Sequence, residues 1–143
     1  KTQKDYCFIY IMEIKMKVII NTDKAPSAIG PYSQGFIFNG LVFTSGQLPL
    51  YPKTMNLTEG GIKEQTWQAL LNLKFVLEMG GASLETVLKT TCFLKNMDDF
   101  NAFNEVYETF FGKINGPARS CIQVEKIPKD ALVEIEAIAF ENK

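Results

Sequence analysis

Apolar positions recur at two different periods along this chain, and the changes from one to the other mark out its elements. Ile62, Thr66, Ala69, Leu70, Leu73, Val76 and Leu77 follow three- and four-residue steps from Gly61 onward, which predicts a helix. Gly80-Gly81 ends it, as a glycine just past the last turn does. A second helical stripe, Phe100, Phe103, Tyr107, Phe110 and Phe111, starts behind Asp98 or Asp99 as its cap. It is read as core, the usual place for aromatics at this spacing. Strands are expected at Val18–Ile20, at residues 36–38 and 41–44, and at Val87–Leu94. The middle two flank Asn39-Gly40, the dipeptide that favours a tight type I′ hairpin.

The stretch GPARSCIQVEKIPKDALVEIE, residues 116–136, stands out near the end of the chain. Pro117 leads into alternating residues 118–124, residues 127–131 turn the chain, and residues 132–140 alternate again, which reads as a single two-stranded unit. The full order is then βββαβαββ, an α+β domain with two helices on one face of one mixed sheet of about six strands. Two helices leave the other face of such a sheet open. Yet residues 36–38 and 41–43 are apolar at consecutive positions, the pattern of strands buried on both faces. Further copies of the same chain in closed symmetry are expected to cover it, and clefts between subunits are then natural binding sites.

Length and composition narrow the chemistry. At 143 residues the chain fits one domain. Residues 1–15 differ in character from the rest of the chain, and their apolar run at residues 6–12 is too short and poorly flanked for a secretory signal. They are read either as an extension ahead of Met16, with the domain spanning residues 16–143, or as an extra edge strand belonging to the fold. A formal net charge of −1 provides no basic field, so nucleic acid is not an expected partner. No apolar run approaches the roughly 18 residues a membrane helix needs. Cys7, Cys92 and Cys121 are scattered without C-x-x-C spacing, which suits a reducing cytoplasm better than a disulfide framework or a metal site. The absence of histidine removes Ser-His-Asp and Cys-His catalysis and His-ligated zinc, leaving acid–base work to Glu, Asp, Tyr, Lys or Cys.

Period 2 places Arg119, Cys121 and Gln123 on one face of their strand, and Glu134 and Glu136 on one face of the return strand. If the two faces coincide, a guanidinium, a thiol and two carboxylates share one patch. Arg119 then either anchors a small acid through its planar fork or pairs structurally with Glu134 or Glu136. Either glutamate is a general base or a solvated or interface ion-pair residue. Cys121 is a nucleophile activated by the arginine or a small wall residue whose backbone N–H matters more than its sulfur. The Pro-, Gly- and Ser-rich residues 21–35 form a loop carrying Tyr32 and Gln34, where Tyr32 presents its phenol to a ligand or packs. Ser45-Gly46 offers backbone donors or turns the chain.

Five segments in this order, Ala28-Ile29-Gly30-Pro31-Tyr32-Ser33-Gln34-Gly35, Thr44-Ser45-Gly46-Gln47, Lys89-Thr90-Thr91, Pro117-Ala118-Arg119-Ser120 and Val133-Glu134-Ile135-Glu136-Ala137, resemble the RidA (YjgF) family of enamine/imine deaminases. The resemblance implies a chorismate-mutase-like α+β fold, a homotrimer around a central barrel and active sites at subunit interfaces. It implies hydrolysis of 2-imino or 2-enamino acids, such as 2-iminobutanoate and 2-iminopropanoate, without metal or cofactor. Carried over by position, Arg119 binds the substrate carboxylate with the Cys121 main-chain N–H. Glu134 activates the attacking water, and Tyr32, Ser45 and Gly46 shape the pocket. Asp98 and Glu125 depart from the family pattern, and Asp98 would add negative charge if it neared the pocket. The same scaffold also serves a non-catalytic carboxylate-binding or chaperone-like trimer. A ribonuclease or translation inhibitor, a label attached to relatives, finds little in a chain with no basic stripe.

Overall fold

Asn39 and Gly40 both adopt positive φ, 53° and 75°, the geometry of a type I′ turn. They fold β2 (Gly35–Phe38) onto β3 (Leu41–Thr44) as the dipeptide predicts. In this computed structural model, which describes residues 16–143, β1 (Val18–Ile20) pairs antiparallel with β2. Next come α1 (Ile62–Met79), β4 (Val87–Leu94), α2 (Phe100–Phe111), β5 (Ala118–Gln123) and β6 (Val133–Phe140), giving the expected βββαβαββ order. The expectations for residues 1–15, Cys7 among them, lie outside the described residues.

Pairing departs from the sequence reading at the closing stretch. The sheet order is β1-β2-β3-β6-β4-β5, so β5 and β6 are not neighbours and residues 117–140 do not form a two-stranded unit. β4 lies between them, parallel to β5 and antiparallel to β6. The reason is α2, which crosses over the sheet between β4 and β5 and returns the chain in the same direction. Residues 124–132 then carry it past β4 to the sheet centre. A small second core of Leu48, Leu50, Ile127 and Ala131 pins that connection. Alternation within a strand says which residues share a face, but not which strand lies alongside.

Alternation does assign the faces once the register is known. Val42, Cys92, Val133, Ile135, Ala137 and Ala139 are buried with Leu70, Leu73, Val76, Leu77 and Phe103 of the helices. Gly80 permits that closeness at the end of α1, since a Cβ there would meet Ile20 at 2.7 Å and Val42 at 2.9 Å. The opposite face carries Phe36, Phe43 and Ile138 in one register row, with Phe36 and Phe43 stacked at 5.1 Å. No element among the described residues covers this second face, and Ile19, Ile122 and Phe140 are about half exposed. The start of α2 also differs from expectation. Asp99 makes no capping bond, and Asn96 Oδ1 instead accepts the Asp98 N–H in the preceding turn.

Candidate active site

Glu134 and Glu136 stand opposite Phe93 and Thr91 of β4, so both project from the face the helices leave open. They line a cleft of about 460 Å³ together with Tyr32, Ser45 and Gly46. Two devices hold this wall in place. Gln34 is buried and staples the loop before β2, accepting the Thr22 N–H at 2.7 Å and donating to the Thr22 and Pro26 carbonyls. Gln47 and Ile135 exchange backbone bonds of 2.8 and 3.2 Å, which lays residues 45–47 along β6. Gly46 is thereby pressed against Glu134, and a Cβ at Gly46 would fall 2.1 Å from Glu134 Oε1. Ser45 is fully engaged in structure, its N–H given to Gln34 O at 2.8 Å and its hydroxyl to Ser33 O at 2.5 Å. Its N–H is therefore not the ligand donor the sequence offered. The Tyr32 phenol oxygen accepts the Ile29 N–H at 3.2 Å, and the ring is half exposed at the cleft. Burial, then the like charge of Glu136, pushes the Glu134 carboxyl above its ordinary pKa, as expected for a carboxylate without a cation beside it.

Arg119 lies on the other side of the sheet. It stands opposite Thr90, and Cys121 opposite Cys92, while Thr90 and Cys92 also face Ala137 and Ile135 of the helix-covered side. The faces that the sequence reading brought together do not coincide within one chain. β5 and β6 are two strand spacings apart, about 10 Å, with side chains pointing in opposite directions. Arg119 is nevertheless not spent in a structural pair. No carboxylate among the described residues lies within ion-pair reach of it, which removes the alternative of a bridge to Glu134 or Glu136. Its Nη1 donates to Asn104 Oδ1 at 2.8 Å. Its Cζ lies 4.7, 5.5 and 5.8 Å from the ring centres of Tyr107, Phe100 and Phe103.

β5 is the sheet edge, and this gives Cys121 its part. Val124 donates its N–H to Leu94 O at 2.9 Å, so by alternation the N–H groups of Ser120 and Ile122 point at β4. Those of Arg119 and Cys121 then point out from the free edge. The thiols are poor nucleophiles. Burial raises the Cys121 pKa against the opposing pull of Arg119, and burial pushes Cys92 up to about 12. Gln123 Oε1 accepts the Met97 N–H at 2.7 Å and ties β5 to the turn before α2. Asp98 is exposed in that turn, outside the Glu134 cleft. The Glu125 carbonyl accepts from the Lys95 ammonium.

Asn104, Phe100 and Tyr107 surround the Arg119 guanidinium, whereas the sequence reading places Phe100 and Tyr107 in the core and passes over Asn104. A signal is present: Asn104 is a polar residue four after Phe100 and three before Tyr107, inside the apolar stripe of α2. Such a break in an apolar face asks for a polar partner, and the partner is Arg119.

The Endoribonuclease L-PSP family model matches residues 22–141. A RutC family protein of Pyrococcus horikoshii is 48% identical over 127 residues, covering 89% of this chain and 100% of that protein. The 2-iminobutanoate/2-iminopropanoate deaminase of Salmonella typhimurium is 45% identical over 129 residues, again covering 89% of this chain and 100% of the relative. Among solved structures, E. coli TdcF with bound serine aligns with a TM-score of 0.82 at 42% identity, covering 87% of this chain and 99% of TdcF. With most of its length matched in sequence and in fold, the chain belongs to the Endoribonuclease L-PSP family, the family of the YjgF and RidA proteins.

Proposed function

We propose that this protein is an enamine/imine deaminase, hydrolysing small 2-imino acids such as 2-iminobutanoate and 2-iminopropanoate to the 2-keto acid and ammonia. Arg119 carries the proposal: it is oriented by neutral groups alone, on an edge strand, with its charge left unpaired among the described residues. A guanidinium so held is a receptor for a carboxylate. The name of the Salmonella relative supports the reaction.

Because Arg119 and Glu134 occupy opposite faces, the proposal includes a second copy. The β5 edge of one subunit meets the Glu134 cleft of the next, in a homotrimer closed through the apolar sheet face. The substrate carboxylate sits in the Arg119 fork and on the Cys121 N–H, which directs C2 toward the neighbouring Glu134. Tyr32, Ser45 and Gly46 bound the pocket there. Ionised Glu134 takes a proton from water as the water oxygen bonds to C2 of the protonated imine. It returns that proton to the amino group of the tetrahedral intermediate, the C–N bond breaks as ammonia leaves, and the hydroxyl proton passes to the ionised Glu134 as the carbonyl forms and from there to ammonia or solvent. An enamine first takes a proton at C3 to become the imine. A carboxylate with a raised pKa is the stronger base for this step, and the imine carbon is electrophilic already. Positioning and one water-directing carboxylate therefore supply the chemistry without metal or cofactor. Such imines are released when pyridoxal-phosphate enzymes eliminate from serine or threonine, and clearing them in the cytoplasm protects other enzymes.

The test generates 2-iminobutanoate in situ with a threonine dehydratase and follows keto-acid formation. The parent protein accelerates it, and Arg119→Ala and Glu134→Ala each lose on the order of 10²-fold or more. Co-assembled in equal amounts, the two variants recover about one quarter of parental activity, because one site in four unites an intact Arg119 with an intact Glu134. No acceleration by the parent, or full activity in Arg119→Ala, refutes the deaminase. Failure of the mixed variants to recover refutes the shared site. The serine bound in TdcF favours a second reading, a carboxylate-binding trimer without turnover, which 2-oxobutanoate binding in the absence of any acceleration would select.

A further inference from the structure

The guanidinium of Arg119 is held in a particular way. Its hydrogen-bond partner is the side-chain oxygen of Asn104, at 2.8 Å. Its nearest ring is Tyr107, at 4.7 Å, and that ring is itself locked by a 2.7 Å bond between its hydroxyl and Thr90 Oγ1. Tyr107 and Thr90 are buried, and burial pushes the phenol up to about 12, so it stays uncharged. Every group that touches the guanidinium is thus neutral. An aspartate would fit where Asn104 stands, being of the same size and shape, and would bind the arginine more strongly. It would also neutralise the charge that a ligand carboxylate needs.

We infer that Asn104, with the Tyr107 ring behind it, is a positioning residue that fixes the Arg119 fork while leaving its charge available to an acid ligand. The inference deepens the deaminase reading and rests on it for the identity of the ligand. A neutral acceptor on one side and a pinned ring on one face remove rotational freedom from the guanidinium before the ligand arrives, which lowers the entropy lost on binding. They also leave the remaining N–H groups of the fork unpaired for a bidentate carboxylate.

The chain contains a single arginine, so the guanidinium signals of the ¹⁵N-labelled protein belong to Arg119 alone. In the ligand-free parent they are resolved, reporting hindered rotation. In Asn104→Ala they broaden and collapse, and in Asn104→Asp they stay resolved. Calorimetry with 2-oxobutanoate as probe then separates order from charge. Asn104→Ala weakens binding on the order of tenfold, and Asn104→Asp on the order of 10²-fold, with KM for 2-iminobutanoate rising in the same sequence and kcat changing less. A residue that only packs would tolerate aspartate better than alanine. Parental affinity in Asn104→Asp, or unchanged guanidinium signals in Asn104→Ala, overturns the inference while Arg119→Ala still abolishes binding. If Arg119→Ala binds the probe as the parent does, the anchor and its cradle both fall.

Discussion

Substituting Gly46 separates the cost to activity from the cost to folding. A Cβ at this position lies 2.1 Å from Oε1, 2.8 Å from Cδ and 2.9 Å from Cγ of Glu134. Ordinary contact is roughly 3.5 Å, so Gly46→Ala drives the carboxylate back by more than about 1 Å. Gly46 does not adopt a positive φ, so alanine adds no backbone strain, and the atoms it meets are the end of a flexible side chain. The expected loss of stability is that of one side chain leaving its rotamer, about 0.5–1.5 kcal/mol. The expected loss of rate is much larger, on the order of 10²-fold, because a shift near 1 Å takes the carboxylate out of line with the attacked carbon. Keto-acid formation measures the loss of rate and thermal unfolding the loss of stability. The two losses must also share one cause. In a Glu134→Ala background, Gly46→Ala should remove no further activity, since the group it displaces is gone. Parental kcat/KM in the single variant, or a further tenfold loss in the double one, would refute the placement of Glu134 against Gly46 as the source of the effect.

On the proposed mechanism Glu134 has to be ionised to take a proton from water, and burial and Glu136 hold its proton to higher pH than an ordinary carboxylate. Activity should fall as pH drops through that raised value, and Glu136→Gln should move the acid limb of the pH–rate profile to lower pH. An unchanged limb would remove Glu136 from the electrostatics of the site. Cys121→Ala should retain activity within about threefold, because the thiol is held protonated and the main-chain N–H survives the change. Loss of turnover with the fold intact would restore the sulfur as a reacting atom. Ile138→Lys places a charge on the open apolar face, next to Ala137 and Ala139, which point the other way into the core. If the proposed trimer closes through that face, the substitution should leave the circular dichroism of the subunit unchanged, shift sedimentation from three subunits to one, and abolish turnover.

The elements were legible because each is written locally. Asn39-Gly40 specifies its turn through two positive φ values, and the steps from Ile62 to Leu77 specify a helix face regardless of what lies beneath. The pairing of β5 with β4 is a different kind of fact. Residues 118–123 and 133–140 alternate equally well whether they pair with each other or with a third strand. Only the crossover of the chain through α2, which lays β5 parallel to β4, decides the matter. That one choice sets the parity of Arg119 relative to Glu134, so the same sequence motif reads as one patch in a hairpin and as groups on opposite faces in the observed sheet. For the cleft, the resemblance points to Tyr32, Ser45, Gly46 and Glu134, and these four line one cavity in the structure. The Arg119 surroundings were hidden inside a stripe read as core. Phe100, Phe103 and Tyr107 pack the core and stack on the guanidinium at once, and nothing in their spacing distinguishes the two tasks.

If Arg119 and Glu134 are the two halves of one site, as proposed, their opposed faces make the subunit dependent on its copies. An isolated subunit holds an unpaired guanidinium, a sheet edge with outward N–H groups at Arg119 and Cys121, and an apolar face bearing Phe36, Phe43 and Ile138. Each is a liability when exposed: the edge invites strand addition, the apolar face invites association, and the charge invites any passing anion. On the proposed assembly all three are relieved by the same event, which also brings Glu134 within reach of what Arg119 holds. Hydrolysis of a reactive imine is useful only where water is directed and the acid is gripped together. On the proposed mechanism, a subunit that possesses both groups yet cannot join them is inert until it meets its copies, and the sheet parity that separates Arg119 from Glu134 is the physical basis of that dependence.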